Sequence, residues 1–214
     1  EPKWIDFLLT KEENQTIPFG GGYIFVISRA AGETLLLDRK LEYIREIKKI
    51  SEADGLKIVV KLHPRELKDN TFEEGLGYDN YGKTWVYSSF HPYFLGKHCK
   101  FAVSFYSGVP IDMIMLGTPT IERLNLSGIS KYDIQTTLID HRTGEPITEH
   151  RFFGLVLGAS NYEQMKNHVE EIMQNREAVV EKLQKKYLEI FSYTENINDV
   201  IADEICECLT EKEF

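Results

Sequence analysis

The chain alternates between short unbroken apolar runs and longer stretches with helical periodicity. Tyr23-Ile24-Phe25-Val26-Ile27-Ser28 is continuous, β-branched and aromatic, the pattern of a strand buried on both faces of a parallel sheet. A helix is predicted from about Leu36 to Glu52, with Leu37, Leu41, Ile44 and Ile47 near 3.6 spacing and Asp54-Gly55 as its stop. Lys57–Leu62 reads as a second strand ended by His63-Pro64, and 84–87 as a shorter third. Residues 67–83, polar and holding Gly75, Gly77 and Gly82, read as a loop. His91–Gly96 predicts a short helix with Pro92 in its first turn. Cys99–Phe105 is the fourth strand, 109–116 a helix stopped by Gly117, and 118–122 the fifth strand. Residues 125–150 are polar and turn-rich. Residues 160–190 and 194–211 are helical, with Tyr162, Met165, His168, Val169 and Ile172 on one face.

Strand–helix alternation with short links implies right-handed crossovers and an α/β, Rossmann-like parallel sheet with flanking helices. The expected organisation is a lead-in over 1–22, a sheet domain over 23–160, and C-terminal helices over 161–214 that pack on it or on a further domain N-terminal to residue 1.

Charge narrows the chemistry. The net charge of -9 argues against broad nucleic-acid binding, which needs a basic face, but leaves room for a local basic pocket. Cys99, Cys206 and Cys208 form neither a disulfide framework nor a zinc pattern, and His98, His141 and His150 lack metal-ligand spacing. No metal site and no cofactor are expected. No run approaches the ~18 apolar residues of a membrane span, and the opening Glu1-Pro2-Lys3-Trp4 is unlike a signal peptide. A cytoplasmic protein is expected, with the inner face of a membrane as an alternative address.

In an open parallel sheet, ligands bind beyond the carboxyl ends of the strands. His63 follows a buried strand, and Pro64 fixes the backbone there and holds His63 extended. A protonated imidazole at that place can bond a phosphate and pass a proton to a departing oxygen. Lys61 or Arg65 adds positive charge, and the bland alternative is a turn histidine bonded to local backbone. Ser104-Phe105-Tyr106-Ser107-Gly108 ends the fourth strand. It offers hydroxyls and backbone N–H groups to a phosphate, with Gly108 allowing close approach, or it simply caps a helix through Ser107. Glu33 is a candidate general base or a helix-start carboxylate. Glu122 is placed to accept a ribose hydroxyl. No dinucleotide fingerprint or Walker A loop is present.

Lys61-Leu62-His63-Pro64-Arg65-Glu66 resembles the His-Pro motif of bacterial sialyltransferases and capsule polysaccharide Kdo-type transferases. The downstream Ser104–Gly108, Asp112 and Gly117-Thr118-Pro119-Thr120-Ile121 are similar to their serine motif, helix and following strand. The resemblance covers roughly residues 23–125. It implies one half of a GT-B fold, the half that binds a CMP-activated sugar, sialic acid-like or Kdo-like, for transfer to a surface glycan. His63 would then contact the CMP phosphate, Ser107 and Ser104 would hold it, and a carboxylate would deprotonate the acceptor. Two departures stand out: Gly32-Glu33 reverses the order of the families' acidic motif, and Gly108 replaces a second serine. A CDP-glycerol-type polyol-phosphate transferase is the alternative enzyme, through Phe105-Tyr106-Ser107 and Asp112. A UDP-sugar enzyme, and a non-catalytic GT-B-like domain that binds a partner protein or a second copy of itself, also remain open.

Overall fold

The structure is a computed structural model that describes residue 7 and residues 9–10, 16–32, 34–66, 70–128 and 137–191. Its elements run β1 (Tyr23–Ile27), α1 (Leu37–Asp54), β2 (Ile58–Lys61), α2 (Thr71–Leu76), β3 (Trp85–Tyr87), α3 (Pro92–His98), β4 (Cys99–Ser104), α4 (Val109–Met115), β5 (Thr120–Arg123), β6 (Thr137–Ile139), β7 (Pro146–Thr148), α5 (Glu149–Phe152), β8 (Leu157–Ala159) and α6 (Tyr162–Ile190). Six strands form one sheet in the order β3-β2-β1-β4-β5-β8. Every neighbouring pair in it is parallel.

Why the runs fold this way follows from what each face buries. All five residues of β1 are buried. Ile24 and Val26 join a core with Tyr43, Ile44 and Ile47 of α1 and Met165, Val169 and Ile172 of α6. Tyr23, Phe25 and Ile27 meet Phe94 and Leu95 of α3 and Met113 of α4 on the opposite face. Alternation along the strand sends neighbouring side chains to opposite faces, and both are covered, so the run has no polar position to spare. Each such Ile or Val side chain contributes about 1.5–3 kcal/mol when fully buried.

Three features depart from the expected layout. The segment read as a loop over 67–83 contains α2. Its Phe72 and Leu76 are buried against the α1 face of the core, and Gly75 sits inside the helix because a Cβ there would collide with Cγ2 of Ile44. A sixth strand, β8, lies beside β5. It too contains a glycine in a crowded place: a Cβ on Gly158 would stand 2.8 Å from Cδ of Arg151, whose side chain lies across the strand. Finally, the polar 125–150 region contains the antiparallel hairpin β6–β7.

The helix expected over 160–190 is present, but Asn175 breaks it (φ -151°, ψ 74°). The Asn175 side chain accepts from Ala178 N–H at 3.1 Å and so restarts the helix as an N-cap would. Both parts pack on the sheet domain: Val179 and Leu183 belong to the same core as Met165, and Gln184 Nε2 donates to the Ile114 carbonyl at 3.1 Å. The helix read over 194–211, with Cys206 and Cys208, lies outside the described residues. Among the described residues, no helix is long and apolar enough to cross a membrane.

Candidate functional site

The strand order reverses direction between β1 and β4: the chain steps outward through β2 and β3 on one side, then through β4, β5 and β8 on the other. Such a switch point leaves a crevice at the carboxyl ends of the two central strands. A cavity of about 440 Å³ lies there, lined by residues after β1, after β2 and after β4. Its polar side chains come from Ser28, Arg29 and Thr34, from His63 and Arg65, and from Tyr106 and Ser107. Gly32 and Gly108 leave bare backbone in its wall.

His63 and Arg65 reach this place through a tight turn. Glu66 N–H donates to the His63 carbonyl at 2.8 Å. In return, His63 N–H donates to Glu66 Oε2 at 3.1 Å. The Arg65 backbone N–H donates to Nδ1 of His63 at 3.1 Å. An imidazole nitrogen that accepts a hydrogen bond carries no proton, so the neutral ring holds its proton on Nε2. His63, Pro64 and Arg65 are all exposed, and this turn is what orders the first and third of them.

The β4 side is built differently. Tyr106 has φ 78°, a left-handed conformation that costs a non-glycine residue about 1–3 kcal/mol and is over-represented at functional sites. Arg29 holds it there. Its Nη1 donates to the Tyr106 carbonyl at 3.0 Å, and its guanidinium lies 4.8 Å from the centre of the Tyr106 ring, a cation–π distance. The turn delivers Ser107 to the start of α4, where its Oγ accepts from Val109 N–H at 3.3 Å. Ser107 therefore stands one residue before the helix's N-cap, Gly108, whereas the expected N-capping serine would itself be the cap; its hydroxyl meets the first helical N–H and lines the cavity at once. With seven residues, α4 is too short for its dipole to add much to an anion site.

The residues expected at the site divide cleanly. His63, Arg65, Ser107 and Gly108 are brought together around one cavity. Lys61 is not among its lining residues: its Nζ donates to the Phe90 carbonyl at 2.7 Å and the Ser89 carbonyl at 3.2 Å, tying β2 to the β3–α3 link. Pro64 shapes the turn without lining the cavity. Ser104 is fully buried, with its hydroxyl unpartnered among the described residues. Glu122 is fully buried too. Its Oε1 accepts from Thr148 Oγ1 at 2.7 Å and lies 2.7 Å from Nε of Arg151, and its Oε2 is 3.8 Å from Nδ1 of His150. The carboxylate thus faces groups of β7 and α5 and is not among the residues that line the cavity. Glu33 lies outside the described residues. His91 starts α3, its Nδ1 accepting from Tyr93 N–H at 3.2 Å, as expected for a helix-start residue.

Ser28 and Arg29 open the polar cluster at the end of the first strand, but the sequence assigns neither a role. No motif marks them; the only available signal is their position directly after a buried strand. With Arg29 and Arg65 the described lining holds two guanidiniums and an imidazole but no carboxylate. In a chain of net charge -9, that concentration of positive charge is local to this crevice.

No protein-family profile matches the chain, and no curated protein sequence matches it. Solved structures do match its fold. The UDP-GlcNAc 2-epimerase from Neisseria meningitidis bound to UDP-GlcNAc aligns with a TM-score of 0.55 and 13% identity, over 95% of this chain and 52% of that one. A Listeria monocytogenes protein described as a UDP-N-acetylglucosamine 2-epimerase gives 0.54 and 14%, over 85% of this chain and 46% of that one. A variant of the wall teichoic acid polymerase TagF gives 0.51 and 15%, over 98% and 49%. The fold is the Rossmann-like α/β fold of these GT-B-type neighbours. The chain spans about half the length of each structure.

Proposed function

We propose that this chain is the donor-binding half of a GT-B-type glycosyltransferase that uses a nucleotide-activated donor, and that the switch-point crevice takes the donor's phosphate. One observation carries the reading: Arg29, His63 and Arg65 converge there from two strand ends, with no carboxylate among the described lining residues. The protein's own cations, rather than a divalent metal, would offset the phosphate charge. In the preferred form the donor is a CMP-activated, sialic acid-like or Kdo-like sugar, and the acceptor is a surface glycan met at the cytoplasmic side of a membrane.

The tautomer of His63 refines its role. A neutral imidazole with Nε2–H is a hydrogen-bond donor and a very weak acid, whereas the protonated ring would have to give up the Arg65 N–H contact. His63 then acts by stabilising charge on the departing phosphate, a contribution that electrostatic preorganisation makes large in a fixed site. Glu33 keeps its proposed role as base, beside any carboxylate that a facing domain supplies.

A CDP-linked polyol donor is the second reading. Two guanidiniums and an imidazole donor exceed what a single phosphate diester needs, which favours a diphosphate. A thermal-shift series with CMP, CDP and UDP tests both. Greater stabilisation by CMP than by CDP supports the first reading and the reverse order the second. Stabilisation by UDP alone moves the donor to a UDP-sugar, and no shift with any of the three removes the donor-binding reading.

A further inference from the structure

Behind the cavity lies a buried ion pair that no donor contact requires. Lys40, on α1, is fully inaccessible, and the Glu66 side chain is 2% exposed. Lys40 Nζ bonds to Glu66 Oε1, and Ser28 Oγ donates to the same oxygen at 2.8 Å. The other oxygen, Oε2, accepts from the backbone N–H of His63 at 3.1 Å. One carboxylate therefore gathers three chain segments: α1 through Lys40, the end of β1 through Ser28, and the His-Pro turn through His63. Ser28 adjoins Arg29, so the cations on the β1 and β2 sides of the cavity share this anchor.

Stability alone is a weak explanation for the pair. Burying two charges costs desolvation that their attraction does little more than offset, and apolar replacements of similar volume are often as stable. The exposed turn at 63–65 has little packing of its own, so its conformation depends on hydrogen bonds. We propose that Glu66, held by Lys40 and Ser28, is a positioning residue. It fixes the turn in which Arg65 N–H meets His63 Nδ1, and so keeps the Nε2–H of His63 available to a phosphate. The part concerning phosphate rests on the donor-binding reading.

Two double variants separate positioning from folding. Lys40→Met with Glu66→Met removes the pair without leaving a lone buried charge. Lys40→Met with Glu66→Gln also removes the pair but restores an acceptor for His63 N–H and a partner for Ser28. The readouts are melting temperature, the 15N signature of the His63 ring tautomer, and CMP and CDP affinity by calorimetry. The Met/Met variant is expected to fold, to lose the single Nε2–H tautomer, and to bind nucleotide about tenfold or more weakly, as befits weakened contact with an ionised group. The Met/Gln variant should match the parent in tautomer and affinity. A Met/Met variant that keeps the parent tautomer overturns the proposal, as does a Met/Gln variant that fails to restore it. If the Met/Met variant does not fold, the Met/Gln variant against the parent decides. A parent that binds neither nucleotide defeats the donor reading, while the tautomer comparison still decides the role of Glu66.

Discussion

The backbone N–H of Arg65 donates to Nδ1 of His63, two residues earlier. The ring is thereby oriented by its own turn and not by the core, and removing it should cost little stability. His63→Ala is expected to melt within a degree or two of the parent, since surface changes usually stay within about 0.5 kcal/mol. Nucleotide affinity should fall about tenfold or more through loss of a hydrogen bond to a charged group. Parallel measurement of melting and binding checks this, and equal losses in both would make the residue structural.

Ser107 has one structural contact and one proposed ligand contact, and the two separate on substitution. Ser107→Ala loses the hydrogen bond from Val109 N–H, which costs about 0.5–1.5 kcal/mol of stability. It should also weaken nucleotide binding by about 1 kcal/mol or more if the hydroxyl meets an ionised phosphate. Calorimetry at a temperature where the variant is fully folded isolates the second effect, and unchanged affinity there would leave the bond to Val109 as the whole role.

Gly75 sets helix propensity against packing. Alanine gains about 1 kcal/mol inside a helix, but its Cβ collides with Ile44, a stiff β-branched side chain in the core. Overpacking costs about 1–3 kcal/mol, so Gly75→Ala is expected to destabilise by about 1 kcal/mol net. Denaturant midpoints measure the sign, and a more stable variant would show that α1 and α2 can move apart.

Asp112 gives a pH dependence. It is half-buried and accepts from Tyr93 Oη at 3.0 Å, and burial outweighs that bond to hold its carboxyl above the usual range. The same contact helps raise the Tyr93 hydroxyl to about 12, after burial as the larger cause. A raised folded-state value means the folded chain binds the proton more tightly than the unfolded one, so stability falls as pH rises through that interval. Asp112→Asn removes the term. Its advantage over the parent in denaturant unfolding should be larger at about pH 7 than at about pH 4, and an advantage independent of pH would contradict the assignment.

Much of the fold was legible because β1, β2 and β4 are buried on both faces and so appear as unbroken apolar runs. Two of the three missed elements share a cause. In α2 and β8 a glycine is present because Ile44 or Arg151 occupies the space of its side chain; Ile44 is distant in sequence from Gly75, whereas Arg151 stands on the helix just before β8. The site was legible only to the level of strand ends. His63, Arg65, Ser107 and Gly108 meet as that rule predicts. Lys61, Ser104 and Glu122 also stand at strand ends, but the alternation of side chains and the local partners turn them elsewhere. Ser104, for instance, shares its strand face with Ala102, packed under α3 and α4. Arg29 and Glu66 stand in strand-end clusters too, but no role could be read for them because their partners, Tyr106 and Lys40, come from other elements.

Gly108 differs from Gly75 and Gly158. Its φ is -71°, and nothing lies within 4 Å of where a Cβ would stand. Alanine would satisfy both the dihedral angles and the surrounding space, so the glycine leaves the free chain about 0.5–1 kcal/mol less stable than it could be. The missing methyl exposes a short stretch of main chain in the cavity wall, which a ligand atom can approach to touching distance. An engineer raising thermostability by replacing glycines with alanine would find this, like Gly32, an easy position to change, and it is one to leave alone.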